Sequence, residues 1–359
     1  MPRALWTLAR SAGRRKRPRG PARILVAHNL LLGDTLMLTP LLAKLAASFP
    51  GASVAMTVSP AFACLYAGRP YGVSVLPYDP RDAAGHTPFL LDGGYDLAIV
   101  PGDNRYSWLA AAVGSRWIVA FGGDRPAYKN WPVDELRAYP AKPGAWGDMT
   151  AGLVDGIAPA PYRVCAWPDP PSRPFRAPAG PYCVLHVGAS TVLKQWQPRK
   201  WSALAAALGK RGLEVVWSGG SGDDNVVGEI DPEGRYRSYA GGLDLAQMWH
   251  LLKGARLLVC PDTGIAHLGR IVGAPTVTLF GPGSEVLCGQ GDFWRDAPYR
   301  ALTVADFPCR DQRVLFKREI PWVRRCARGA GECARPRCME AIALDPVLLE
   351  CDRLLGEMH

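Results

Sequence analysis

Short apolar runs alternate with amphipathic stretches from about residue 22 to residue 304, and this alternation predicts strands separated by helices. Runs near 23–28, 53–58, 73–78, 96–100 and 116–121 read as the strands of a first half. Runs near 182–187, 213–218, 236–240, 256–260, 275–280 and 300–304 read as those of a second. Between them, Cys165 to Pro181 is crowded by Pro168, Pro170, Pro171, Pro174, Pro178 and Pro181, which neither a helix nor a central strand tolerates. The pattern predicts an α/β protein with two Rossmann-like parallel-sheet domains. Its expected parts are a basic arm over 1–20, an N-terminal domain over 21–165, a Pro-rich linker over 166–181, a C-terminal domain over 182–344 and a terminal helix over 345–359. At 359 residues the chain exceeds the span of about 250 to 300 residues that one core usually serves.

Two strand-to-helix junctions concentrate chemistry. In Cys260-Pro261-Asp262-Thr263-Gly264-Ile265-Ala266-His267 a buried strand gives way to a helix predicted over 265–272. Residues 262–264 therefore meet the free backbone N–H groups and positive dipole end of that helix, a setting for an anion. The next strand, 274–280, ends in Gly281-Pro282-Gly283-Ser284, a second small-residue loop on the same carboxyl edge. Asp-Thr-Gly taken alone is equally an N-cap and a tight turn. Near the N-terminus, strand 22–28 is followed by a predicted loop, Leu31-Leu32-Gly33-Asp34-Thr35, and a helix over 36–49 ending at Pro50-Gly51. Asp34 is then either a reactive carboxylate at a strand end or the cap of that helix.

Residues 33–52, with Gly33-Asp34-Thr35, a Thr39-Pro40 pair and Phe49-Pro50-Gly51-Ala52, resemble the opening of glycosyltransferase family 9, the ADP-heptose:lipopolysaccharide heptosyltransferases and their relatives. His186-Val187-Gly188-Ala189-Ser190 with Lys194-Gln195-Trp196-Gln197-Pro198 is similar to that family's glycine loop and Lys-x-Trp-Pro element, with one extra residue before the proline. Asp262 to His267 and Leu279-Phe280-Gly281-Pro282 are similar to its hallmark, and the four motifs fall in family order over roughly residues 23–345. The resemblance implies a GT-B fold, two Rossmann-like halves facing across a cleft. It implies an inverting transferase that moves a sugar, heptose from ADP-heptose first among the options, onto a lipopolysaccharide core or related phosphorylated lipid or oligosaccharide acceptor. It also implies no cofactor and no catalytic metal ion.

Sugar transfer from a nucleoside diphosphate needs a base for the acceptor hydroxyl and positive charge for the leaving diphosphate. By the resemblance Asp34 is the base, with Gly33 and Thr35 beside it on the acceptor side. Lys194 is the phosphate cation. The donor falls to Gly188, Ser190, Asp262, Thr263, Gly264, His267 and Gly281, with Asp223 or Asp224, and of the two Asp224, expected at the nucleotide ribose. His267 either faces the phosphates or packs between sheet and helix, with a supporting role favoured, and His28 is a weaker candidate. Two other readings stay open: a related transferase using another nucleotide sugar for a different surface glycan, and a nucleotide-sugar binding protein without turnover. A dinucleotide oxidoreductase is disfavoured, since Asn29-Leu30-Leu31-Leu32-Gly33 stands where Gly-x-Gly-x-x-Gly would follow the first strand.

The net charge of +10 is unevenly placed. Arg3, Arg10, Arg14, Arg15, Lys16, Arg17 and Arg19 precede the first strand without an acid, and this arm reads either as a contact for the anionic inner membrane surface or as a solvated tail. A second basic group, from Arg310 to Arg337, suits a phosphorylated acceptor. No zinc-finger, RNA-recognition or helix-turn-helix pattern supports nucleic acid. No apolar run reaches the roughly 18 residues of a membrane span and no secretory signal is seen, so the expected location is the cytoplasm, with a peripheral place on the inner membrane open. Cys309, Cys326, Cys333 and Cys338 lack the Cys-x2-Cys spacing of most structural zinc sites, so no metal is assigned to them.

Overall fold

The computed structural model describes residues 16–82, 93–305 and 307–357. Arg3, Arg10, Arg14 and Arg15 of the basic arm lie outside them, and with them the arm's expected contact with a membrane.

The described residues form two compact units. The first comprises those within 16–160, 165–170 and 313–323, and the second those within 161–164, 171–312 and 324–357. The first unit holds β1 (Arg23–Val26), β2 (Ser53–Val58), β3 (Ser74–Pro77), β4 (Leu97–Val100), β5 (Trp117–Phe121) and β6 (Glu135–Arg137). They lie in the order β3-β2-β1-β4-β5-β6, and every pair is parallel. The second unit holds β7 (Tyr182–His186), β8 (Glu214–Ser218), β9 (Arg237–Ser238), β10 (Leu257–Pro261), β11 (Thr276–Phe280) and β12 (Tyr299–Thr303), ordered β12-β11-β10-β7-β8-β9 and again all parallel. Each sheet winds outward in both directions from its first strand, the doubly wound Rossmann order. This is the expected α/β class.

The strands read from the sequence are present, with ends shifted by a residue or two and 236–240 reduced to a two-residue β9. Burial explains the agreement: β4, β7, β10 and β11 are buried at every position, so their side chains had to be apolar or small. One core gathers Leu25, Ala98, Val100, Ile118 and Ala120 from the first sheet. The other packs Trp196, Trp201 and Trp217 with Leu185, Val259 and Leu279.

Three details differ from the reading. The loop predicted over 31–35 is in fact the start of a short helix, Leu32–Leu36, and a second helix runs Thr39–Ser48. Pro40 near the start of the second has no N–H to donate back, which favours two helices over one. The polar edge strand β6 was missed. So was a hairpin, β13 (Val314–Leu315) and β14 (Arg318–Glu319). That hairpin sits in residues 313–323, which the sequence placed with the C-terminal domain and which belong to the N-terminal unit. No helix among the described residues is long and apolar enough to cross a membrane.

Candidate functional site

In the second unit the strand order reverses between β7 and β10, the place where open α/β sheets bind ligands. Lys194 comes from the loop after β7, at the end of a one-turn helix, Val192–Lys194, whose Leu193 N–H group is capped by the Thr191 hydroxyl. Trp196 fixes that loop. Its ring is buried, its Nε1 donates to the Ile342 carbonyl at 2.9 Å, and it stands edge-on to Trp201. Pro198 then opens the helix Pro198–Lys210, so the Lys-x-Trp-x-Pro spacing is a device for aiming Lys194.

Asp262 follows β10 directly. Lys194 Nζ donates to its backbone carbonyl at 2.7 Å and to Oδ2 at 3.0 Å. The cation is thus tied to the first residue of the hallmark segment. Thr263 caps the helix Gly264–Val272 by position only, for its side chain makes no capping bond and its Oγ1 is buried without a partner among the described residues. A buried hydroxyl left open at a helix N-terminus, beside a lysine, is arranged for an anionic oxygen.

His267 sits one turn into that helix. Arg270 Nη2 meets its Nδ1, and Arg270 is itself buried between the rings of Trp294 and Tyr299, with further bonds to the Cys288 and Gly289 carbonyls. Burial first, then the charges of Arg270 and Lys194, hold the imidazole well below its ordinary pKa. With Nδ1 accepting, the neutral ring carries its proton on Nε2, which has no partner among the described residues. Arg270, which the sequence did not flag, therefore sets the tautomer. A helical spacing of three from His267 was the only signal for it.

Two glycines of the loops at this sheet edge have specific reasons to be glycine. A Cβ on Gly188 would strike the Asp223 carboxylate, and one on Gly283 the Asp262 carboxylate. Asp223 accepts from Gly220 N at 2.6 Å and closes its own loop, whereas Asp224 lies exposed at the start of the helix Asp224–Ile230. Ser190 is exposed. Gly281 faces the other way, packed against Cys338 and Met339 while Arg310 bonds its carbonyl, so its smallness serves the fold.

In the first unit, Asp34 is half-buried in the first turn of Leu32–Leu36. The residue at the cap position is Leu31, so Asp34 is not a cap; its carboxylate has the favourable place for the helix dipole. Gly33 shares that turn. Thr35 is buried and bonds the Leu30 carbonyl, shaping the turn.

His28, after β1, is fully buried, with Nδ1 accepting from Leu30 N and Nε2 without a partner among the described residues. Burial pushes its pKa down to about 3, and that of His186 to about 4. Below about pH 6.5 the unfolded chain binds these protons and the folded chain does not, so stability is full above that pH and falls on acidification. Each histidine contributes a slope of up to about 1.4 kcal/mol per pH unit. Urea midpoints should drop between pH 7 and 5, and less steeply in His28→Gln; parallel profiles would show that His28 titrates normally.

Among the described residues no group of three or more His, Cys, Asp or Glu is placed to hold a metal ion. The basic group from Arg310 to Arg337 is largely engaged: Arg310 on carbonyls, Arg328 with Asp311, Arg335 with Glu340 and Arg318 buried.

Residues 168–303 match the family model described as glycosyltransferase family 9 (heptosyltransferase). Lipopolysaccharide heptosyltransferase 1 of Pseudomonas aeruginosa is 28% identical over 333 residues, covering 83% of this chain and 92% of that protein. Among solved structures, the ADP-heptose lps heptosyltransferase II of Escherichia coli aligns over 94% of this chain and 99% of its own, with TM-score 0.70 and 18% identity. An Escherichia coli heptosyltransferase with ADP aligns over 78% and 92%, with TM-score 0.63 and 20% identity. At those identities the structural likeness speaks for the fold, and the fold is of the GT-B kind.

Proposed function

The chain belongs to glycosyltransferase family 9, and from that premise we propose that it moves heptose from ADP-heptose onto a lipopolysaccharide core, with inversion at the anomeric carbon. The observation that carries this is the Lys194–Asp262–Thr263 arrangement at the β7/β10 switch point, where a lysine, an open hydroxyl and a helix N-terminus converge on one anion site. The relatives supply the donor and acceptor: a lipopolysaccharide heptosyltransferase by sequence and an ADP-bound heptosyltransferase by fold.

Asp34 takes the proton of the acceptor hydroxyl as its oxygen bonds to the anomeric carbon. The bond from that carbon to the diphosphate breaks, and ADP leaves with the electron pair. Lys194, Thr263 Oγ1 and the N–H groups of the Gly264 turn stabilise the charge gathering on the diphosphate. Asp262 holds Lys194 in place, and Nε2 of His267 offers one more donor. Asp224, exposed at its helix start, is assigned to the ribose, with Gly188 and Ser190 lining the donor. Gly281 is better assigned to packing. On this reading the charge is handled by side chains and backbone, without a metal ion. The work is cytoplasmic, with the basic arm over 1–20 resting on the anionic inner membrane beside the lipid-linked acceptor.

Lys194→Ala tests the anion site. It should weaken ADP-heptose binding and lower kcat/KM by about 10²-fold, the usual effect of deleting one stabilising donor, with Lys194→Arg restoring part. Kinetics matching the wild type would remove Lys194 from the site. A thermal-shift series with ADP-heptose, UDP-sugars and GDP-sugars checks the donor, and stabilisation by a UDP- or GDP-sugar alone would point to a different surface glycan.

A further inference from the structure

The connection from β5 to β6 is built inside out. It passes through a one-turn helix, Ala127–Asn130, that ends at Trp131, and the charged residue there is the buried one. Lys129 is 2% exposed, whereas Tyr128 and Trp131 on either side of it are 43% and 71% exposed. Ordinary packing would put the rings inside and the ammonium in water.

Polar bonds hold the segment this way round. Lys129 Nζ reaches Asp103 at 2.7 Å and Asp124 at 3.2 Å, and the Lys129 carbonyl accepts from Ser107 Oγ at 2.8 Å. Asn130 donates to the Asp124 carbonyl at 2.9 Å and accepts from Asn104 at 2.6 Å. With its polar groups tied down beneath, the segment presents its rings outward. Trp108, half-buried on the helix Tyr106–Ala112, joins them. Its Nε1 donates to the Tyr128 carbonyl at 3.1 Å, and the Trp131 ring meets those of Trp108 and Tyr128 at 6.4 and 6.5 Å between centroids. A single exposed ring is ordinary, but three in contact make a patch.

The chemistry of the patch selects its occupant. Tryptophan and tyrosine, apolar bodies with a polar edge, are favoured where hydrocarbon meets water. Residues 103–131 carry four cations against two acids. Those two acids, Asp103 and Asp124, are shared by Lys129, Arg105 and Arg318, the last at 3.5 Å from Asp124. Arg125, three residues before Tyr128, is exposed and has no partner among the described residues. The border of the patch is therefore positive. Its rings offer on the order of 300 to 400 Å², from about 150 to 250 Å² for each whole ring, well short of the roughly 800 Å² that each partner of a stable dimer buries. A lipid surface sets no such minimum, since binding there grows with each apolar group and each cation added.

We propose that Trp131, Tyr128 and Trp108 form a docking surface for an anionic lipid bilayer, with the rings at headgroup level and Arg125 and Arg105 at lipid phosphates. This contact is separate from the one assigned to the basic arm, and it does not depend on the transferase reading.

The test sediments the full chain with mixed phosphatidylcholine and phosphatidylglycerol vesicles. Trp131→Ser should weaken binding about tenfold, the effect of withdrawing one large side chain from an apolar phase, and Trp131→Phe should restore part of it. Arg125→Gln should weaken binding about fivefold at low salt, the usual worth of one cation at an anionic leaflet. The Trp131→Ser loss should persist in about 1 M salt, where a Debye length of about 3 Å screens the ionic contacts. That persistence separates the patch from the arm. Vesicles with brominated acyl chains should quench the fluorescence of the wild type more than that of Trp131→Phe. Melting temperature and ADP affinity should not move, because the Trp131 ring lies mostly in water. The proposal is overturned if Trp131→Ser binds vesicles as the wild type does, if its loss disappears in high salt, if quenching is equal, or if the substitution only turns a dimer into a monomer. Absence of heptose transfer with the vesicle difference intact would sink the transferase reading and leave the docking surface standing.

Discussion

Asparagine at position 34 should cut heptose transfer by about 10²- to 10⁴-fold, the range for losing one general base, while ADP-heptose still binds. The substitution keeps the shape and removes the proton acceptor. The structure sharpens the experiment, because Asp34 is not the residue capping Leu32–Leu36. Asparagine keeps the size and shape of the side chain in that first turn, where the dipole interaction given up is about 0.3 to 1 kcal/mol, so the variant should remain folded. Rate at saturating donor and acceptor is the measurement, with a thermal melt as control. A variant within a few-fold of the wild type would mean that another group takes the proton.

The second large effect concerns the N-terminal unit. Arg318→Ala should lower its stability by about 3 to 5 kcal/mol, the usual result of removing one partner from a buried charged pair. Asp124, whose side chain is fully buried, would keep Lys129 at 3.2 Å and the Asn104 N–H group. The carbonyls of Gly102, Phe121 and Gly122 would lose their donor. Arg318→Lys should recover little, because one ammonium cannot replace a five-donor fork. A urea melt followed by the fluorescence of Trp146, under Phe316, would report it. A change below about 1 kcal/mol would show that water fills the site.

The two sheets were legible in the sequence because their central strands, β4, β7, β10 and β11, are buried at every position and are largely apolar. That Lys194 and the Asp262-Thr263 helix start lie at one sheet edge was legible for a related reason, since a strand end, a glycine-bearing loop and a helix start follow one another in sequence there. Legibility failed where structure depends on residues far apart. β6 is a three-residue edge strand, Glu135–Arg137, whose composition says loop. The hairpin at 314–319 lacks the Asn-Gly that would have marked its turn, since its conformation is imposed by Trp146, Asn104 and Asp124. Arg270 looked like an ordinary helical cation, and its place under His267 appears only once Trp294 and Tyr299 close around it.

The dependence of Asp124 on Arg318 also bears on how the protein is made. Arg318 lies 197 residues beyond Phe121, whose carbonyl it binds. At about 5 to 20 residues per second, a ribosome needs roughly 10 to 40 s to cover that interval. Throughout it the nascent first sheet holds a carboxylate and several carbonyls still awaiting their guanidinium, exposed to water or to chaperones. The first half to be synthesised therefore stays unfinished until residues 313–323 arrive, and its maturation waits on most of the second.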